Sequence, residues 1–230
     1  MEPSAPEARI GGIASILAGV LTLVGFVMVV IPFAAAPPEA LDLAGFEARV
    51  AFAGSLSPSL RTLFLAGTVL NSLLVPVLSA VFVLVLFGIL QTTRQRYGVL
   101  ATGLAILAVP LLVLARVTGF LLVWAGERYA AANAALQASI VETYATAETV
   151  SIVADAGFRL FLGAAMFGFY YATEGVLPRW VRILGVVLGA AGIVGSYAPL
   201  FPLAILADVL FVAWLLAAGA IVYRKGRRVA

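Results

Sequence analysis

The sequence contains no cysteine and no histidine, and its only lysine, Lys225, lies in the C-terminal segment. Without cysteine and histidine the chain cannot form disulfides, the usual zinc sites or bis-histidine haem ligation. The base of the common nucleophile–base pairs is also missing. No glycine-rich phosphate loop or carboxylate metal motif is present. These absences argue against an enzyme, and we expect no cofactor and no metal ion.

Charge is scarce as well. Only 11% of the residues are charged, 63% are hydrophobic and the mean hydropathy is +1.13, a composition that excludes a water-soluble domain of 230 residues. Apolar runs near the ~20 residues needed to cross ~30 Å of hydrocarbon occur six times. They cover about residues 10–34, 63–90, 97–124, 150–173, 180–197 and 203–223.

The runs are continuous, whereas the strands of a membrane barrel alternate apolar and polar residues. The sequence therefore predicts one all-α domain, residues 1–230. Its architecture is a polytopic membrane helical bundle of six transmembrane helices.

The basic residues predict the orientation of this bundle. With six spans both termini share a side, and that side receives nine basic residues: Arg9, Arg94, Arg96, Arg179, Arg182, Arg224, Lys225, Arg227 and Arg228. The other side receives only Arg49, Arg61 and Arg128. The positive-inside rule places both termini in the cytoplasm. The net charge of +3 thus reflects topology, and we expect no nucleic-acid partner.

Two long connections on the opposite side predict two short amphipathic extracytoplasmic helices. In the first, Pro37-Pro38 is a helix-start signal, and Phe46 and Val50 recur at helical spacing. Ser57 and Pro58 are typical of the cap and first position of span two.

The second connection, near residues 125–149, has no proline. Its apolar residues Ile140, Tyr144 and Ala147 repeat at helical spacing, with polar residues on the other face. We expect both helices to lie on the membrane surface or to pack over the bundle.

Polar side chains inside the predicted spans form the candidate site. A charge in hydrocarbon costs several kcal/mol, so it normally faces the protein interior and has a partner. At 1.5 Å per residue, the predicted span ends place these groups about 8–13 Å below the outer boundary. The layer consists of Asn71, Arg116, Asp155, Arg159 and Asp208.

The pairing within this layer can also be predicted. Asp155 and Arg159 are four residues apart with the acid first, the favourable order for a helical ion pair. Arg116 needs an acid from another helix, and Asp208 lies at a similar depth. Two interpretations remain open. The layer is a dry ion-pair network with Asn71 as a hydrogen-bonding residue, or it lines an outward-facing cavity that binds a polar or anionic ligand through Arg116 and Arg159.

Prolines and glycines predict local backbone shape. Pro76 and Pro110 lie inside spans two and three, where kinks are expected. Small residues on one face of a membrane helix allow close backbone approach. The fifth span carries four glycines at helical spacing: Gly185, Gly189, Gly192 and Gly195. We expect them to serve packing within the chain, with a homodimer face as the alternative.

The stretch Leu177-Pro178-Arg179-Trp180, the glycine-rich fifth span and a last span that ends in Gly219 before a basic tail resemble a prokaryotic family. It is the six-span domain of unknown function 4386 family, and the resemblance covers nearly the whole chain. It implies an integral protein of the prokaryotic cell (inner) membrane and transfers no catalytic residues.

Two functions from different classes are consistent with these observations. The first is a non-enzymatic accessory or scaffold-like membrane component whose Arg/Asp layer holds the bundle together. The alternative is a small transporter or ligand-binding protein with an outward-facing polar cavity. Carriers tend to show internal repeats and midplane sites, and neither is evident here. Expected partners are the lipid bilayer and either other membrane subunits or a second copy of the chain.

Overall fold

The computed structural model describes residues 5–34, 45–90, 95–196 and 201–228, the side chains of residues 95, 201 and 228 excepted. All regular structure in these residues is helical. The helices are α1 (Ala5–Ala34), α2 (Phe46–Ser55), α3 (Pro58–Val69), α4 (Val75–Leu90), α5 (Gln95–Arg116), α6 (Thr118–Tyr129), α7 (Ala134–Ala172), α8 (Arg179–Gly195) and α9 (Phe201–Arg228). A π-helical turn, Leu70–Leu74, joins α3 to α4.

Five helical segments of the described residues are long and apolar enough to cross a membrane. They are Ala5–Ala34, Pro58–Leu90, Arg96–Tyr129, Ala134–Ala172 and Pro202–Arg227. The fifth predicted span, 180–197, corresponds to α8, which has only 17 residues, and its predicted last residue lies outside the described part of the chain. The structure is thus an all-helical bundle with five helices of membrane-crossing length.

The long helices form a closed ring. Going round it, α1 packs on α4, α4 on α5, α5 on α7, α7 on α8, α8 on α9, and α9 returns to α1. Phe82, Trp214 and Leu215 are among the core side chains inside it. Large apolar side chains such as Leu100 and Val153 are instead mostly exposed on the outside, as is typical of a helix that is apolar all round and meets lipid.

At one end of the ring α2, α6 and residues 134–149 of α7 form a second apolar cluster, which we call the cap. Val50, Ile140 and Tyr144 are buried in it. Gly54 of α2 and Gly126 of α6 meet so closely that a side chain on either would collide with the other's backbone. The opposite end, where the Arg9 Nε donates to Gly226 O, is the basic end.

The second predicted short helix is not a separate element. Residues 134–149 are the first part of α7, which has 39 residues and continues into the predicted fourth span. The physical reason is that residues 134–156 contain no proline or glycine and nothing else ends the helix. In the first connection α2 is a separate helix, whereas its predicted start at Pro37-Pro38 lies outside the described residues.

The predicted start of span two is confirmed. Pro58 is the first residue of α3, and the Ser57 Oγ accepts a hydrogen bond from the Leu60 N–H at 3.4 Å. The predicted prolines act differently from each other. The π-helical turn ends at Leu74, two residues before Pro76, with the Val75 N–H donating to Leu70 O. Pro110 lies inside an otherwise continuous α5.

The glycines of α8 pack against neighbouring helices of the same chain. A Cβ on Gly189 would lie 2.8 Å from the carbonyl oxygen of Gly163 in α7, and the reverse distance is also 2.8 Å. A side chain on Gly195 would collide with the backbone of Ala204 in α9. These contacts place α8 tightly between α7 and α9.

The Gly163–Gly189 approach predicts that Gly189→Ala lowers stability. The new methyl group would lie against the Gly163 carbonyl oxygen, which can move away only if the whole helix α7 moves. Such overpacking lowers the free energy of unfolding by about 1–3 kcal/mol. We expect a lower unfolding temperature in detergent solution. The matched control is Gly103→Ala, where no atom lies within 4 Å of the added Cβ, and it should unfold at or above the wild-type temperature. Equal unfolding temperatures for the two variants would contradict the packing argument.

Candidate functional site

Arg159 is the most completely bonded charged side chain of the predicted layer. Its side chain is 7% exposed. The Nε donates to Asp155 Oδ2 at 2.7 Å. The Nη1 and Nη2 donate to the two carboxylate oxygens of Asp208 at 3.0 and 3.2 Å, and Nη1 also donates to Ala204 O at 3.0 Å. This forked geometry is the strongest form of arginine–carboxylate pairing, and it ties α7 to α9.

Arg116 is placed differently. Its side chain is 41% exposed, and its Nη2 lies 3.9 Å from Asp155 Oδ1. That distance is an ion pair but too long for a hydrogen bond. Asp155 Oδ1 is itself buried and accepts no hydrogen bond from the described residues. Among the charged side chains of the layer, Arg116 and Asp155 are therefore the two whose hydrogen-bonding groups are left unused by the described residues.

The structure confirms one predicted pair and corrects the other. Asp155 pairs with Arg159, as the spacing predicts. Asp208, predicted to pair with Arg116, pairs instead with Arg159. The pairing of Asp208 with Arg116 was predicted only from their similar depth in the membrane. In the structure α9 packs so that Asp208 reaches Arg159 of α7.

A helix break positions Arg116. The Phe120 N–H donates to Val117 O at 3.0 Å and so does not continue the α-helical pattern, in which it would bond Arg116 O. Two serines supply hydrogen bonds to the carbonyls at the break. Ser151 Oγ donates to Ala115 O at 2.7 Å and Ser72 Oγ donates to Arg116 O at 3.3 Å. The break is thus held from α7 and from the π-helical turn.

Asn71 lies in that π-helical turn. Its side chain packs so closely on α1 that a Cβ at Gly25 would lie 2.8 Å from the amide. The Asn71 Oδ1 is buried and accepts no hydrogen bond from the described residues. It is therefore an unused polar group beside the layer.

A cavity of about 460 Å³ opens on the layer from the cap side, and we call it the outer cavity. Its walls come from α5, α6, α7, α8 and the start of α9. The charged groups that line it are Arg116, Glu148, Asp155 and Arg159. Glu148 accepts from Arg49 at 3.3 Å and from the Tyr144 hydroxyl at 3.2 Å, which links the cavity to the cap.

A smaller cavity of about 140 Å³ lies on the axis of the ring, and we call it the central cavity. It is enclosed by α1, the π-helical turn, α4, α5, α7 and α9. Asn71, Arg116 and Asp208 provide most of its polar lining, and Phe26, Phe158 and Phe211 contribute to its apolar walls. Arg116 lines both cavities and therefore stands between them.

The structure thus brings all five predicted residues around two cavities. Sequence reasoning missed the roles of Ser72 and Ser151. The fourth span was predicted to start near residue 150, whereas Ser151 lies in the middle of α7. Its position one turn before Asp155 on the same helix was the available signal.

Comparison of the chain with protein-family models, curated proteins and solved structures gives no match. Its function must be inferred from the geometry of its own residues.

The contrast between the two arginines predicts unequal stability effects. Arg159→Gln leaves two carboxylates without their shared cation. A broken buried pair of this kind costs about 3 kcal/mol, near the low end of the usual range because both acids are partly exposed. Arg116→Gln should cost below about 1 kcal/mol, as for other exposed pairs.

The measurement is denaturant unfolding of both variants in the same detergent. Similar losses for the two substitutions would show that the layer is one uniform structural network and that Arg116 has no separate role.

Proposed function

We propose that this protein is a non-enzymatic, ligand-binding protein of the prokaryotic cell membrane, whose outer cavity holds an anionic group of a polar ligand at Arg116. One observation supports this above the others. Arg116 is 41% exposed within a cavity of about 460 Å³ and, among the described residues, makes only a long ion pair, whereas four of the five N–H donors of Arg159 in the same layer are bonded. A partly exposed guanidinium in such a setting is suited to bind a carboxylate or phosphate.

Arg159 supports the accessory or scaffold-like role as a second component of the proposal. Its bonds to Asp155, Asp208 and Ala204 connect helices and occupy four of its five N–H donors. We therefore assign the two arginines of the layer different tasks. Arg159 holds the bundle together, and Arg116 binds.

The proposal includes a sixth span. The helix α8 lies between α7 and α9, both of which are long enough to cross the membrane. Its 17 residues measure about 25 Å, close to the ~30 Å of hydrocarbon. Six spans place both termini on the basic, cytoplasmic side and the cap outside. This topology also agrees with the resemblance to the domain of unknown function 4386 family, which we retain as part of the proposal.

The topology predicts cysteine labelling in intact cells, which is simple here because the chain has no native cysteine. A membrane-impermeant maleimide should label Ala135→Cys in the cap. It should label Ser4→Cys and Ala230→Cys only after the cells are opened. Labelling of one terminus but not the other in intact cells would show an odd number of spans and overturn the six-span proposal.

The binding role predicts an Arg116-dependent response to anions. The purified protein in a nonionic detergent should unfold at a higher temperature with inorganic phosphate or glycerol phosphate than with chloride at equal ionic strength. Arg116→Gln should abolish this difference, because it removes the free guanidinium. The control is Arg128→Gln, since the Arg128 guanidinium lies over the Trp124 ring, 4.7 Å from its centroid, outside the cavity. The same phosphate response in both variants would overturn the site.

A further inference from the structure

The charges of the outer cavity favour a zwitterion over a simple anion. Arg159 carries one positive charge and is shared by Asp155 and Asp208, so these three groups together carry a net charge of −1. Arg116 restores neutrality. An anion that binds to Arg116 therefore leaves the layer negative again, which is costly away from water.

A ligand that also carries a positive charge avoids this cost. The buried Asp155 Oδ1, which has no hydrogen-bond donor among the described residues, lies 3.9 Å from Arg116 Nη2. Glu148 lines the same cavity. An ammonium next to these two carboxylates, with its anionic group on Arg116, would satisfy the unpaired acceptor and keep the site neutral.

The central cavity adds a second compartment on the other side of Arg116, with both polar and apolar walls. Beyond it a narrower space of about 30 Å³ continues toward the basic end. The two spaces share Leu112, Phe158 and Phe211 in their walls. Together the central cavity and the narrower space extend along α5 from Arg116 to Ala105, a length of about 16 Å. The space on the axial side of Arg116 therefore begins beside the polar groups Asn71 and Asp208 and becomes largely apolar at its inner end.

We propose that the ligand is a zwitterionic amphiphile with a single aliphatic chain, whose phosphate binds Arg116, whose ammonium lies at Asp155 and Glu148, and whose chain enters the central cavity. This inference rests on the proposed function and names the ligand class of the same site. The head group then lies toward the cap and the chain toward the membrane centre. This is the direction of a lipid in the outer leaflet.

Three probes separate the parts of this ligand. Lysophosphatidylethanolamine has phosphate, ammonium and chain, lysophosphatidic acid lacks the ammonium, and glycerophosphoethanolamine lacks the chain. We expect lysophosphatidylethanolamine to bind the wild-type protein about tenfold more tightly than either of the others, because each lacks one set of contacts. Binding is measured by thermal shift in a nonionic detergent that is kept in excess.

A second readout reports where the chain lies. Trp214 is 2% exposed and lines the narrow inner space, whereas Trp124 and Trp180 are exposed. In a Trp124→Phe/Trp180→Phe background, a lysophosphatidylethanolamine with a brominated chain should quench Trp214 fluorescence. Leu112→Phe, which narrows the shared wall, should reduce the quenching while the response to phosphate remains.

The proposed position of the ligand's ammonium is tested with the variant Asp155→Asn. It should remove the preference for lysophosphatidylethanolamine over lysophosphatidic acid. Where this substitution reduces folding, Glu148→Gln provides a milder form of the same test. Both are compared with Glu127→Gln, an acid that pairs with Arg61 at 2.7 Å in the cap and does not line the cavity.

The outcomes distinguish the two levels of the proposal. Equal binding of the three probes, or no quenching of Trp214, would show that the ligand is not a zwitterionic amphiphile. The anion site at Arg116 would still be supported if the response to phosphate depended on Arg116. If Arg116→Gln changes the response to none of the probes, both the amphiphile and the proposed function fail.

Discussion

The pairing of Arg159 with two carboxylates is the interaction on which the rest of the bundle depends. A guanidinium buried among apolar helices must have its donors satisfied, since an unpaired buried charge is far more costly than a paired one. The fork to Asp208 and the bond to Asp155 fix both the rotation and the height of α9 relative to α7. Gly192 of α8 passes within 3.8 Å of the Arg159 side chain, measured from an added Cβ. All three helices are therefore held in register at one level.

Arg116 differs from Arg159 because its helix is interrupted beside it. Carbonyls that a continuous helix would satisfy are bonded by Ser72 and Ser151, so the interruption is stabilised from two neighbouring helices. The side chain then lies between two cavities, one on the cap side and one on the axis of the ring, and lines both of them. A bundle built only for packing would have no need for this arrangement, which supports a binding role for Arg116.

Much of the architecture could be predicted from sequence, because long apolar runs and a few buried charges have few solutions in a membrane. The Asp155–Arg159 pair follows from spacing within one helix, and the start of α3 follows from Ser57-Pro58. The partner of Asp208 could not be predicted, since sequence gives the depth of a residue but not which helices are lateral neighbours. The break at Val117 had no proline or glycine at the site itself. The length of α7 was missed because a change in polarity was interpreted as the end of a helix, although no residue there stops one.

That uninterrupted α7 has a mechanical consequence. At 39 residues it is about 58 Å long, and one rigid rod carries Tyr144 in the cap core, Asp155 and Arg159 in the layer, and Tyr170 at the basic end. A tilt of the rod imposed by the cap would displace the buried charges at the same time. It would also move the Tyr170 carbonyl, which accepts from Arg182 at 3.2 Å. A displacement at the cap can thus reach the basic end through a single helix, with no need for a chain of side-chain rearrangements.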